Sequence, residues 1–397
     1  MANAFTSTGS SSLGGTAGSA GLVQTAYDRL LEFALRSEPL IRSVADKTPA
    51  RQSIPGSTVV LQKYVDLEKN TTALTETTDP DSVALSTPTQ VSITLAEYGN
   101  SVLVTRALEL FSLADVDPAI ANIIAFNLAD SIDDVAMTTL RGGTNKIFGG
   151  SATSTATVAA ASTLDSADIR KAVAKLRSAK AIGRKGSLYW AGIHPEVSHD
   201  LRAESSSGQG WLLPNQYGSS QDRIWAGEIG NYEGAYYVES ARLYNAKAGA
   251  DQTALATAAA VSGASGAFTI VAANAAFGGR AEVGDKISGT NVGSGAKITA
   301  ISVGATNTTF TVDVANSGTV GTNTLTVTPV TRVYNTIVCG QQAMAQAVAE
   351  EPHVVIGPVV DKLMRHRPMG WYGVLGFARY REEALYRIET GSSIAAL

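Results

Sequence analysis

Residues 117–143 read DPAIANIIAFNLADSIDDVAMTTLRGG, a helix with its start and its stop both written in. Asp117 is a good N-cap, Pro118 suits a first turn whose N–H has no partner anyway, and Gly142-Gly143 ends the run. Between them Ile120, Ile124, Leu128, Ile132 and Val135 recur at helical spacing and form one apolar stripe. About 24 residues at about 1.5 Å each make a rod of about 36 Å, long enough to serve as the spine of a domain.

The texture differs on both sides of this spine. Upstream, Thr58–Val65, Gln90–Leu95 and Ser101–Thr105 are β-branched and alternate like strands. The stretch Glu68–Pro88 between the first two is rich in Thr, Asp and Ser and reads as the polar tip of a long two-stranded loop. Further upstream, Leu30, Leu31, Ala34, Leu35, Ile41 and Val44 line one face of a helical arm within Leu22–Lys47, broken near Pro39. Downstream, a second helix is expected over Ser166–Ile182, with Ile169, Val173 and Leu176 inward and Arg170, Lys171, Lys175, Arg177 and Lys180 elsewhere. From Ser187 to about Asn245 short strands mix with aromatic turns (Tyr189, Trp190, Trp211, Trp225, Tyr236, Tyr237), the texture of an α+β domain. Residues 246–331 carry almost no aromatics, few charges, and strands such as Lys297–Val303 and Thr309–Val314 between Gly/Asn/Thr turns. They read as a small all-β insert, after which the mixed texture resumes.

Composition narrows the function. The 397 residues are 44% hydrophobic but only 17% charged, a surface suited to burial against other subunits. A net charge of −4 gives no global positive field for nucleic acid or an anionic membrane. Residues 1–21 have neither a cationic start nor an apolar run and are not read as a secretory signal; no apolar stretch of about 18 residues predicts a spanning helix. A single cysteine, Cys339, fits synthesis in a reducing cytosol.

Candidate chemistry is thin. His194-Pro-Glu-Val-Ser-His199-Asp200 gathers two imidazoles and two carboxylates, yet its spacing does not match HExxH, and a capping role is expected instead. No G-x-S-x-G elbow or P-loop occurs, so neither a Ser-His-Asp site nor a nucleotide site is supported. Cys339 sits in an apolar stretch and reads as a buried small hydrophobe. The cluster Lys362, Arg365, His366 and Arg367, like the basic helix, reads as a solvated or inter-subunit face. No catalytic residue, metal or cofactor is expected.

The order of these features resembles the major capsid proteins of tailed bacteriophages, the Hong Kong 97-like fold. The resemblance is carried by Leu95–Asn100 through Val104-Thr105 and the Asp117-Pro118 start, by Gly143-Thr-Asn-Lys-Ile-Phe-Gly-Gly150, and by Gly370-Trp-Tyr-Gly-Val-Leu-Gly-Phe377 with Glu382–Glu389. Ile193-His194-Pro195 and Asp200-Leu201-Arg202 add to it, and it spans about residues 20–245 and 332–395. It implies an N-terminal arm (1–55), an extended E-loop (56–105), a P-domain with the spine helix (106–193), an A-domain (194–245 and, with the P-domain return, 332–397) and an insert (246–331). It further implies pentamers and hexamers of an icosahedral head around double-stranded DNA, with synthesis in the bacterial host cytoplasm. Scaffolding, portal and cement proteins would be partners, and DNA contact would be weak and non-specific. The short arm leads us to expect a separate scaffolding protein. Lys63, Lys69 and Glu76 are the inter-subunit candidates in the loop. Two other readings stand beside this one: another phage structural protein or β-rich adhesin, suggested by the insert, and a hydrolase around His194 and His199.

Overall fold

The computed structural model describes residues 40–49, 57–106 apart from 68, 72, 75, 78, 80 and 81, and then 116–203, 228–243, 245–255, 258–273, 281–321, 324–358, 363 and 365–394. The arm ahead of residue 40, Trp211, Trp225 and Lys362 lie outside these.

In chain order the strands are β1 (Asp46–Pro49), β2 (Thr58–Lys63), β3 (Thr89–Thr94), β4 (Ala96–Thr105), β5 (Lys146–Phe148), β6 (Tyr189–Ile193), β7 (Glu228–Tyr232), β8 (Ala235–Glu239) and β9 (Asn245–Asp251). They continue as β10 (Ala258–Ser262), β11 (Thr269–Ala273), β12 (Lys286–Gly289), β13 (Ile298–Val303), β14 (Asn307–Val312), β15 (Thr324–Thr328), β16 (Val330–Cys339), β17 (Met344–Ile356), β18 (His366–Arg379) and β19 (Leu385–Thr390). The helices are α1 (Val116–Arg141), α2 (Ser166–Ser178) and α3 (Pro195–Ala203). The chain divides into two compact units, the described part of the smaller lying in Gly99–Leu128 and Pro352–Tyr372, and the larger holding Ser37–Tyr98, Ala129–Glu351 and Gly373–Leu397.

α1 is the expected spine, beginning one residue before Asp117 and ending at Arg141. Its last turn is closed by cations, as the negative end of a helix dipole favours. Arg379 Nη1 donates to the Thr139 carbonyl at 2.9 Å, and Arg387 donates to that of Arg141. A Cβ at Gly142 would stand 2.5 Å from Arg379 Nη1, so the glycine makes room for this cap. Ile124 and Ile132 are buried, while Ile120, Leu128 and Val135 are half-buried. Within the larger unit the buried face continues through Ala136, Met137 and Leu140.

The larger unit is built on a seven-stranded sheet, β5-β19-β16-β6-β8-β7 with β9 also on β16. Successive side chains of a strand point to opposite faces, and here both faces are covered. Trp190, Tyr236, Ile337, Cys339 and Leu385 pack with Ala136, Met137 and Leu140 of α1. Their neighbours Tyr189, Ala191, Tyr237, Val338 and Ile388 pack with Ile169, Val173 and Leu176 of α2 and Val197 and Leu201 of α3. Double burial explains why the central strand β6, Tyr-Trp-Ala-Gly-Ile, is apolar from end to end.

α2 stops at Ser178, four residues short of the expected Ile182. Lys180 takes a left-handed conformation (φ 56°), the Ala181 N–H reaches back to the Leu176 carbonyl and the Lys180 N–H to that of Arg177. This is a Schellman end, with lysine where glycine is usual.

The six strands β12-β15-β10-β11-β14-β13 form a separate sheet. A bridge between Lys286, at the start of β12, and Lys297, just ahead of β13, brings its two end strands together and closes the sheet into a ring at that point. Its core contains Ile270, Ile287, Phe310, Val312, Leu325 and Val327. The expected boundary at 246 falls inside β9, which pairs with β16 in the main sheet. Asp285, fully buried, sits where the two sheets meet: it accepts Lys247 Nζ at 2.6 Å and the Val330 N–H at 3.1 Å. Glu282 binds Lys247 and Arg332 at 2.9 and 2.6 Å.

Candidate functional site

Two strands alone make up the sheet of β2 and β3, which are antiparallel from Thr58↔Thr94 to Lys63↔Thr89. Such a ribbon is marginal without support. Its inner face supplies the support, since Ile93 is buried and Val59 and Leu61 pack with it near Ala345, Ala347, Ala378 and Tyr380. Gly376 permits this approach, because a Cβ there would fall 2.2 Å from the Thr94 carbonyl oxygen. Lys63 Nζ is held by Glu383 at 3.1 Å, within the subunit. Glu383 is drawn below the usual carboxylate range, chiefly by a backbone hydrogen bond and by Lys63.

Beyond this ribbon the described residues between 64 and 87 form no strand and are exposed. Lys69 and Glu76 are exposed there. The expectation of a polar tip is incomplete, for Tyr64, Val65, Leu67, Leu74, Val83 and Leu85 are exposed too, Leu74 at 70% and Leu85 at 78%. Single exposed leucines are ordinary, but six large apolar side chains in one 22-residue stretch form a surface that lacks its cover in the isolated subunit. Counting Leu and Val through the Thr-rich background would have found them.

Two of the sequence stretches singled out above meet in space. Glu382 accepts the Thr144 N–H and hydroxyl and binds Arg379 Nε at 2.8 Å, and Asn145 Nδ2 donates to the Glu382 carbonyl at 2.8 Å. Just beyond, β5 runs parallel to β19, Lys146 opposite Arg387 and Phe148 opposite Glu389. In the smaller unit Gly99 and Gly370 lie where Cβ atoms would come within 2.8 Å of the Trp371 and 2.5 Å of the Asn100 carbonyl oxygens. Trp371 Nε1 and Asn100 Nδ2 both donate to Asn127 Oδ1, at 2.8 and 3.3 Å. These glycines allow close backbone approach rather than cradling a phosphate.

The histidine cluster does structural work. His194 is buried, its Nδ1 accepts the Glu196 N–H at 3.3 Å at the start of α3, and its ring lies 4.9 Å from that of Tyr334. Burial pulls its pKa below the usual imidazole value. His199 lies on the exposed side of α3, 3.3 Å from Asp200, which accepts the Ser393 N–H at 2.9 Å and so ties down the end of the chain. Cys339 is fully buried and its thiol pKa is pushed up to about 12, which leaves it inert. Arg365, His366 and Arg367 stand at the start of β18. Among the described residues no group of three or more His, Cys, Asp or Glu could hold a metal, and no helix is long and apolar enough to cross a membrane.

Residues 52–393 match the family described as phage capsid protein. The chain belongs to that family. Capsids of known structure share its α+β fold at low identity. The capsid of Ralstonia phage GP4 aligns with a TM-score of 0.59 at 13% identity, over 93% of this chain and 95% of that one. The capsid of cyanophage P-SCSP1u gives 0.57 at 12%, over 98% and 99%. The asymmetric unit of the cyanophage Pam1 capsid gives 0.53 at 14%, over 99% and 100%. No curated protein matches in sequence. The protein is therefore a capsid protein of a phage head, a structural component and not an enzyme.

Proposed function

We propose that this capsid protein assembles as pentamers and hexamers of an icosahedral, Hong Kong 97-like head that encloses double-stranded DNA. The observation that carries this reading is the row of exposed large apolar side chains, Tyr64, Val65, Leu67, Leu74, Val83 and Leu85, on the extension beyond the ribbon. In a closed shell every such surface faces a neighbour, and many modest contacts replace one large one. On this reading 56–105 is the E-loop laid over an adjacent subunit, with Lys69 and Glu76 at that interface and Lys63 at its root. Residues 106–193 form the P-domain, and 194–245 and 332–397 the A-domain and its return. The closed six-stranded ring stands on the outer surface as decoration, and scaffolding, portal and cement proteins complete the head. Electron microscopy of the purified protein, alone and co-expressed with its scaffold, tests the reading. Capsomers or closed shells are expected; a well-folded monomer at high concentration with scaffold present would sink it.

A further inference from the structure

We propose that the exposed face of α2, with the turn that follows it, is the surface on which the capsid protein meets the phosphate backbone of packaged double-stranded DNA. This rests on the capsid reading above. Between Ile169 and Pro195 the chain holds no Asp or Glu, yet it carries Arg170, Lys171, Lys175, Arg177, Lys180, Arg184 and Lys185. Those seven are drawn from 31 Lys and Arg in a chain whose net charge is −4, so the positive charge is concentrated here.

The fold turns five of these seven outward, while Arg184 is spent on Asp46 and Lys185 is half-buried. Ile169, Ala172, Val173 and Leu176 are committed to the core beneath, which leaves Arg170, Lys171, Lys175, Arg177 and Lys180 exposed. At 3.6 residues per turn Arg170 and Arg177 share one margin of the helix, and Lys171 and Lys175 share the other. Ala174 and Ser178 lie between and are exposed, so the face is basic at both sides and shallow in the middle. Lys171 binds Asp168 at 2.8 Å and Arg170 reaches Glu233 at 3.9 Å. Lys175, Arg177 and Lys180 make no ion pair among the described residues. Lys180, moreover, occupies the left-handed helix-end position that glycine takes without strain, and it keeps a cation there.

The chemistry of the face selects among polyanions. Packaged duplex DNA presents phosphates and hides its bases in the stack, so a surface that meets it needs cations and no stacking aromatics. α2 contains no aromatic residue, and Tyr189 and Trp190 nearby are buried. The seven helical steps from Arg170 to Arg177 span about 10 Å, over which one strand offers about three phosphates at about 3.4 Å each. The competing occupant is the extended loop of a second copy, where Asp66, Glu68, Glu76, Asp79 and Asp81 outnumber Lys69. That loop also exposes Leu67, Leu74, Val83 and Leu85, and the α2 face offers them only Ala174 and Ser178 between its cations. Charge would be matched there and apolar surface would not.

The test measures binding of random-sequence duplex DNA to the unassembled full-length chain across a salt series. It uses the variant Lys175→Gln/Arg177→Gln/Lys180→Gln. Each phosphate contact contributes about 0.9 to the slope of log affinity against log salt, so the triple variant should lose about 2–3 from the slope and weaken equally on every sequence. Lys175→Gln alone, at an exposed helix position, should lose about one. An unchanged slope overturns the inference. So does tight binding of a peptide of sequence 64–88 to the wild-type face with no displacement by DNA, which would assign the face to a second copy. Shells formed by the same variants, seen by electron microscopy, would keep the capsid reading standing whichever way the DNA result falls.

Discussion

Replacing Leu74 and Leu85 together by serine separates the stability of the subunit from the stability of the shell. Both side chains are exposed in the subunit, at 70% and 78%, so the folded monomer should notice the change by no more than about 0.5 kcal/mol. If neighbours cover them in the shell, the loss is the transfer of two leucines. Fully burying one is worth about 1.5–3 kcal/mol, and three quarters of that for each gives about 2–4 kcal/mol per subunit. At about 1.4 kcal/mol per tenfold this weakens each pairwise contact by about 30- to 1,000-fold. The assay is the concentration at which shells or capsomers first appear, followed by light scattering and sedimentation, with thermal circular dichroism on the same samples. The expected outcome is an unchanged melting curve and a large rise in the threshold concentration. An unchanged threshold would mean that these leucines stay wet in the particle. A lowered melting temperature would mean that they already pack within the subunit.

Three other outcomes follow from the interior. Leu140→Ala empties a fully buried position between α1 and the main sheet and should cost about 2–5 kcal/mol in urea unfolding; a cost under 1 kcal/mol would place Leu140 outside the core. His194 has its pKa lowered from 6.5 by burial, so the unfolded chain takes up a proton that the native ring resists, and stability should fall as pH drops through and below 6.5. His194→Gln should flatten that part of the stability profile, and an identical profile would show that the buried ring does not set it. Replacing 253–328 by a Gly/Ser linker should leave a soluble, folded subunit, whereas replacing 246–331 removes most of β9 and should not; equal solubility of the two would contradict the pairing of β9 with β16.

What could be read in advance was whatever is local. α1 announces itself through Asp117-Pro118 and Gly142-Gly143, and the alternation in 58–63 and 89–94 gives the ribbon. The end of α2 was hidden because a left-handed Lys180 leaves no mark in residue type. β9 was hidden for a different reason: Asn245–Asp251 has the small-residue texture of the insert, and only its partner β16 decides where it belongs. The meeting of Thr144 with Glu382 joins residues 238 apart, and no periodicity encodes that. For candidate function, the sequence showed the basic residues of α2 and the local pair of Lys171 with Asp168 three residues before it, but not that Glu233 becomes the partner of Arg170, which only the fold brings about.

A chain that builds a shell must leave some surfaces unfinished, and the two sheets of the larger unit differ in this respect. The six-stranded ring is complete: its end strands are bridged, its core is its own, and Asp285 anchors it to the main sheet through Lys247 and the Val330 N–H. Its entry and exit are also matched, since Asp251 and Val330 are direct partners in the β9–β16 ladder. Residues paired across a ladder lie about 5 Å apart, so a domain entering at one and leaving at the other asks almost nothing of the sheet that carries it. The β2–β3 ribbon is the opposite case. It has two strands, one buried face and an extension whose leucines point into water. On the capsid reading proposed above, lattice contacts fall to the ribbon and the body, and the ring is expected to tolerate change in sequence, or removal at its paired ends, without loss of what holds neighbouring subunits together.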